Sequence, residues 1–198
     1  MKNRISSVLA IALLSFSLSA SAGDPPLREK YAVDWFAESC INNAGKNERI
    51  ADWALSRGLP PLTDEATHAF LLGSAGQGWA ATNDSGEYVI VMRADGLCTL
   101  FARRAEPQST RTYFFEILNH LLPESRYSRS EYTEKKKLNK GILETTHFNI
   151  GKEGSEKVLH VVISTSDSTE GNYQVAMSTM FCEKAPNKAL QPTGCAGG

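Results

Sequence analysis

Trp79-Ala80-Ala81-Thr82, Glu87-Tyr88-Val89-Ile90-Val91-Met92-Arg93 and Cys98-Thr99-Leu100-Phe101-Ala102-Arg103 are three strand-length runs, separated by Asn83-Asp84-Ser85-Gly86 and Ala94-Asp95-Gly96. The separators carry Asn, Asp and Gly, which tolerate the positive φ of tight hairpin turns. Three strands joined this way make an antiparallel meander. The middle run, Tyr88-Val89-Ile90-Val91-Met92, is apolar at every position, so it is expected to be covered on both faces or to lie centrally in the sheet.

Upstream of the meander the period is helical. From Leu27 to Ala44, the residues Val33, Phe36, Ala37, Cys40, Ile41 and Ala44 fall on one face, and Gly45 supplies a stop. Asn47 is placed to cap a second short helix that turns Ile50, Trp53 and Ala54 inward and ends at Gly58. Leu59-Pro60-Pro61 is a rigid turn. Thr63 or Asp64 caps a third short helix through Leu72. Downstream, Ser109 or Thr110 opens a helix whose stripe is Phe114, Ile117, Leu118, Leu121 and Leu122, and Pro123 follows its end. Arg126 to Lys140 is polar and basic, and reads as an exposed loop or an edge strand. Gly141 to Ile150, Lys157 to Ser166 and Asn172 to Cys182 read as three further strands. The reading is an α+β fold: an antiparallel sheet with N-terminal helices and one central helix packed on it. A doubly wound nucleotide-binding fold does not fit this order.

The chain begins with the marks of an export signal: Lys2 and Arg4, an apolar run from Val8 to Leu18, and Ala20-Ser21-Ala22 as a small-x-small cleavage site. Residues 1–22 are therefore expected to be removed. Residues 23–185 form a single domain, and residues 186–198, rich in Pro, Asn, Gln and Gly, form a disordered tail. Gly23 rather than Cys follows the cleavage site, so no lipid anchor is expected. The product is expected in the periplasm or outside the cell. No later apolar run approaches the length of a membrane span. The 21 basic and 22 acidic side chains become 19 against 22 once Lys2 and Arg4 leave, which gives no basic excess for nucleic acid. The expected partner is an unspecified protein or small molecule.

Cys40, Cys98, Cys182 and Cys195 allow three complete pairings in an oxidising compartment, and spacing alone does not choose among them. None of the spacings is that of a zinc site. The stretch from Cys40 to Arg103 does carry a resemblance. Phe70-Leu71-Leu72-Gly73, Gly78-Trp79, Gly86-Glu87-Tyr88-Val89-Ile90 and Gly96-Leu97-Cys98-Thr99-Leu100, after a Cys in an early helix, resemble an uncharacterised family of small exported proteins and lipoproteins of Gram-negative bacteria of the Neisseria type. The resemblance implies an exported single domain and a Cys40–Cys98 bridge, and no activity. That bridge would tie the apolar face of the first helix to the third meander strand, whereas Cys98–Cys182 would link two strands. The tail segment Asn187-Lys188-Ala189-Leu190-Gln191-Pro192-Thr193 resembles translated recombination-site DNA at the end of an integron gene cassette.

No catalytic, cofactor-binding or metal-binding motif is found. Gly73-Ser74-Ala75-Gly76-Gln77-Gly78 lacks the G-x-S-x-G spacing and the Gly-Lys-Ser/Thr ending of a Walker loop, and it leads into a strand. It reads as a plain helix-to-strand connection. His68 and His120 fall on helices, while His147 and His160 fall on neighbouring strands and can pair across them. Ordinary surface or partly buried histidines account for all four. Trp35 lies beside the apolar face of its helix and is expected to be the exposed tryptophan, with Trp53 and Trp79 in the core. The function expected is a non-enzymatic binding or interaction module. The alternative is an envelope hydrolase with a site assembled from scattered strands and loops, to be sought around His147, His160 and Trp79.

Overall fold

In the computed structural model, which describes residues 27–168, 171–184 and 192–193, the meander comprises β1 (Gly76–Asn83), β2 (Gly86–Arg93) and β3 (Cys98–Arg103). A second meander comprises β4 (Ser128–Lys137), β5 (Ile142–Gly151), β6 (Lys157–Ser166) and β7 (Val175–Lys184). All neighbours are antiparallel, and β7 pairs with β3, so the order is β1-β2-β3-β7-β6-β5-β4. The fold is α+β, as expected. The basic segment is an edge strand and not a loop. The signal sequence, residues 1–22, lies outside the described residues. So does the tail 186–198, except for Pro192–Thr193, a two-residue strand β8 that pairs with Lys184 and Glu183.

The helices are α1 (Leu27–Phe36), α2 (Asn47–Ser56), α3 (Asp64–Phe70) and α4 (Pro107–Leu121). The first helix does not run on to Ala44 as a regular α-helix. It widens into a π-helical turn at Ala37–Ile41, closed by Asn42 N–H to Ala37 O at 3.0 Å. Ser39 Oγ donates to the Trp35 carbonyl at 2.6 Å just before the turn, the kind of side-chain insertion that bends a helix. Two expected caps are corrected. Asn47 begins α2 instead of capping it, and its Nδ2 donates to Ala94 O at 3.2 Å across to the β2–β3 turn. Ser109 and Thr110 lie inside α4, which is capped by the Glu106 side chain with Pro107 in the first turn. Thr63 caps α3 by accepting from Ala66 N–H.

The core lies between the α1/α4 layer and one face of the sheet. Tyr88, Ile90, Leu100, Phe148, Val161, Ile163 and Met177 point into it and meet Phe36 and Phe114. Phe114 stands 6.0 Å from both Phe36 and Phe148, ring centre to ring centre. Arg111 ties α4 to β5, pairing with Glu144 at 3.0 Å and donating to Thr146. Trp35 corrects the expectation of exposure: it is 9% exposed and packs edge-on to Trp53 and against Tyr88. Trp53 is the less buried of the two, because its Nε1 reaches Glu38 at 3.2 Å near the surface. Trp79 is in the core, as expected.

The opposite face has two halves. Over β1–β3 it is covered: Val89 and Val91 pack with Leu71, Leu62, Phe70 and Phe101. The all-apolar middle strand is thus covered on both faces, as its sequence requires. Over β4–β6 most residues of the same face are half-exposed, Asn149 and Val158 being buried, and among the described residues no helix packs on it.

Candidate functional site

Strand alternation puts Ser130, Tyr132 and Glu134 of β4, Thr145, His147 and Asn149 of β5, and His160, Val162 and Ser164 of β6 on that open face. Tyr132 is directly opposite His147, Asn149 is directly opposite His160, and the two histidines are diagonal neighbours. The sequence places the histidines on neighbouring strands, and the structure brings their rings together. His147 Nδ1 stands 3.4 Å from His160 Nε2. The Tyr132 ring stacks on His147, with centroids 4.4 Å apart and planes 5° apart. The outer nitrogens are held as well. His147 Nε2 stands 3.4 Å from Glu134 Oε1, and His160 Nδ1 stands 2.7 Å from Asn149 Oδ1. Asn149 in turn donates from Nδ2 to Ser130 Oγ at 3.4 Å. Burial first, and the neighbouring His147 second, hold His160 below the ordinary imidazole pKa.

A second feature lies on the same face, at its covered end. Ala66, Ala69 and Phe70 of α3, Leu72 after it, Phe101 and Arg103 of β3, and Asn172 and Tyr173 line a groove of about 700 Å³. Phe70, Phe101 and Tyr173 form an aromatic trio with centroids 5.2 to 5.6 Å apart. Arg103 pairs with Glu87 at 2.7 Å at the groove's edge. Leu72 stands 93% exposed at the lip with φ 51°.

The remaining candidates do not join either feature. His68 and His120 are exposed on α3 and α4, and Trp79 belongs to the main core, so no site forms around His147, His160 and Trp79 together. Gly73–Ala75 is a connection, and Gly76 already opens β1. Sequence reading did not single out Tyr132, Glu134, Asn149, Phe101 or Tyr173. Strand register was the missing signal, since alternate positions of β4, β5 and β6 share a face only once their pairing is known.

The structure joins Cys40 to Cys98, the pairing the resemblance implies, with Cα atoms 5.5 Å apart. Cys182 is also disulfide-bonded. Among the described residues no helix is long and apolar enough to cross a membrane, and no three His, Cys, Asp or Glu side chains converge on a metal position. No family model, no curated protein and no solved structure matches this chain.

Proposed function

We propose that this chain is an exported, non-enzymatic binding module of the periplasm that holds a small, largely apolar molecule in the groove between α3 and β3. The groove carries the reading. Its volume of about 700 Å³ lies within the ~300–1,000 Å³ range of small-molecule sites. Its walls are mostly aromatic and aliphatic, and Arg103, Asn172 and the Tyr173 hydroxyl are its polar groups. The lining contains no nucleophile paired with a base. Export is supported by the signal-like N-terminus and by the disulfide, which persists in oxidising compartments. The hydrolase alternative has less support. The histidine pair stands on an open sheet face, and its partners are Glu134, Asn149 and each other, not a serine or cysteine nucleophile.

The test is a titration of the purified chain with 8-anilinonaphthalene-1-sulfonate, an apolar fluorescent probe with one anionic end. Saturable binding is expected, weakened tenfold or more by Leu72→Asp. Aspartate tolerates the left-handed backbone at that position, so this variant keeps its fold. Binding without saturation, or binding indifferent to Leu72→Asp, overturns the reading.

A further inference from the structure

The hydrogen-bond chain across the open face is one proton short. Glu134 is a carboxylate and only accepts, so it selects the His147 tautomer with hydrogen on Nε2. Asn149 spends its Nδ2 on Ser130 and turns Oδ1 toward His160, which selects hydrogen on His160 Nδ1. The two inner nitrogens, His147 Nδ1 and His160 Nε2, then face each other with lone pairs at 3.4 Å. Two acceptors so placed gain a partner when a proton, a water or a metal cation sits between them, and the geometry of the pair favours the metal.

From this juxtaposition we infer that His147 and His160 form a binding site for a borderline divalent transition-metal ion such as Zn²⁺, with solvent completing its coordination. The spacing suits the ion: two nitrogens each about 2.0–2.1 Å from a tetrahedral zinc stand about 3.3–3.4 Å apart. Imidazole is a favoured ligand for this class of metal. The outer partners also suit it. A ligating histidine usually donates its other N–H to a carboxylate or carbonyl, which fixes its tautomer and orients the ring. Here Glu134 and Asn149 hold those places. The stacked Tyr132 further restrains the His147 ring. Glu134 faces the outer nitrogen of His147, so it orients the ligand and is not itself a third ligand. The site shares no residue with the groove, and its outcome is independent of the small-molecule reading.

The experiment is a calorimetric titration of the tag-free chain with Zn²⁺ alone. One equivalent is expected to bind saturably. Either His147→Gln or His160→Gln is expected to weaken binding about 100-fold, and Glu134→Ala about tenfold, within the range for outer partners. A His68→Gln/His120→Gln variant is expected to bind as the parent does. Glu134 is largely exposed, so its variant reads the site even if His160→Gln fails to fold. Imidazole ¹⁵N shifts of the metal-free chain are expected to show hydrogen on His147 Nε2 and His160 Nδ1, and zinc is expected to shift the two inner nitrogens. Absence of saturable binding, affinity unchanged by His147→Gln, or affinity lost in the His68/His120 variant overturns the inference.

Discussion

Leu72 shows how much a single backbone angle decides. Its neighbour Leu71 is buried against Val89 and Val91, whereas Leu72 adopts φ 51° and stands in solvent. A left-handed conformation costs a residue with a Cβ about 1–2 kcal/mol, and here no burial offsets it. Leu72→Asn is therefore expected to raise stability by about 0.5–1 kcal/mol, since asparagine accepts this conformation readily. Thermal unfolding checks it: at ~2–4 °C per kcal/mol for a domain of this size, a rise of a few degrees is expected. An unchanged or lower midpoint would show that Leu72 is held by contacts its exposure conceals. In the sequence, Phe70-Leu71-Leu72-Gly73 gives no means of separating the two leucines. Trp35 is undecidable in the same way, since it sits beside the apolar stripe of its helix and only the docking of α2 on the π-helical turn, which brings Trp53 edge-on to it, covers it.

Among the elements, those fixed by neighbouring residues were legible and those fixed at a distance were not. The β1–β2–β3 hairpins follow from their own turns, and β6 has the boundaries that its alternation predicts. The pairing of β3 with β7 joins residues separated by α4 and three strands, and no local pattern encodes it. The start of α4 was missed for a different reason. Ser109 and Thr110 are intrinsically better caps than glutamate, but Pro107 suits the first helical position, and that leaves Glu106 at the cap. Its carboxylate accepts from Gln108 N–H at 3.0 Å and Ser109 N–H at 2.5 Å. Burial pushes the Glu106 pKa up, but the bonds from Ser109 and Gln108 together outweigh it and hold the group below its ordinary value. Glu106→Ala is expected to cost about 1 kcal/mol near neutral pH. A depressed native pKa contributes stability that is present above the unfolded value and lost as pH falls through the folded one. The gap in melting temperature between parent and variant should therefore narrow on acidification below the ordinary glutamate pKa of about 4.3. A gap that is constant or widens toward low pH would assign the cost to packing and not to the charged cap.

At the scale of the whole molecule, the Cys40–Cys98 bridge joins the helical layer to the centre of the sheet. Cys40 lies in the π-helical turn, and Cys98 opens β3, where its register partner is Thr179 of β7. The bond therefore sits where the two meanders meet, a junction that no hairpin secures. The sequence places Cys40 on an apolar helical face and Cys98 after a turn, but the choice of partner rested on resemblance, because spacing does not say which strand a helix crosses. The bridged residues are 58 apart, and closing such a loop in the unfolded chain is worth about 4 kcal/mol on chain-entropy grounds. The Cys40→Ala/Cys98→Ala variant is the appropriate probe, since a reductant would also open the disulfide at Cys182. At ~2–4 °C per kcal/mol, its midpoint is expected roughly 8 to 16 °C below that of the parent, with the far-ultraviolet circular dichroism of the folded state preserved. Peptide mapping of the unreduced parent should return Cys40 linked to Cys98. A midpoint within a couple of degrees of the parent would mean that the β3–β7 pairing and the α1/α4 core hold the junction without the bond.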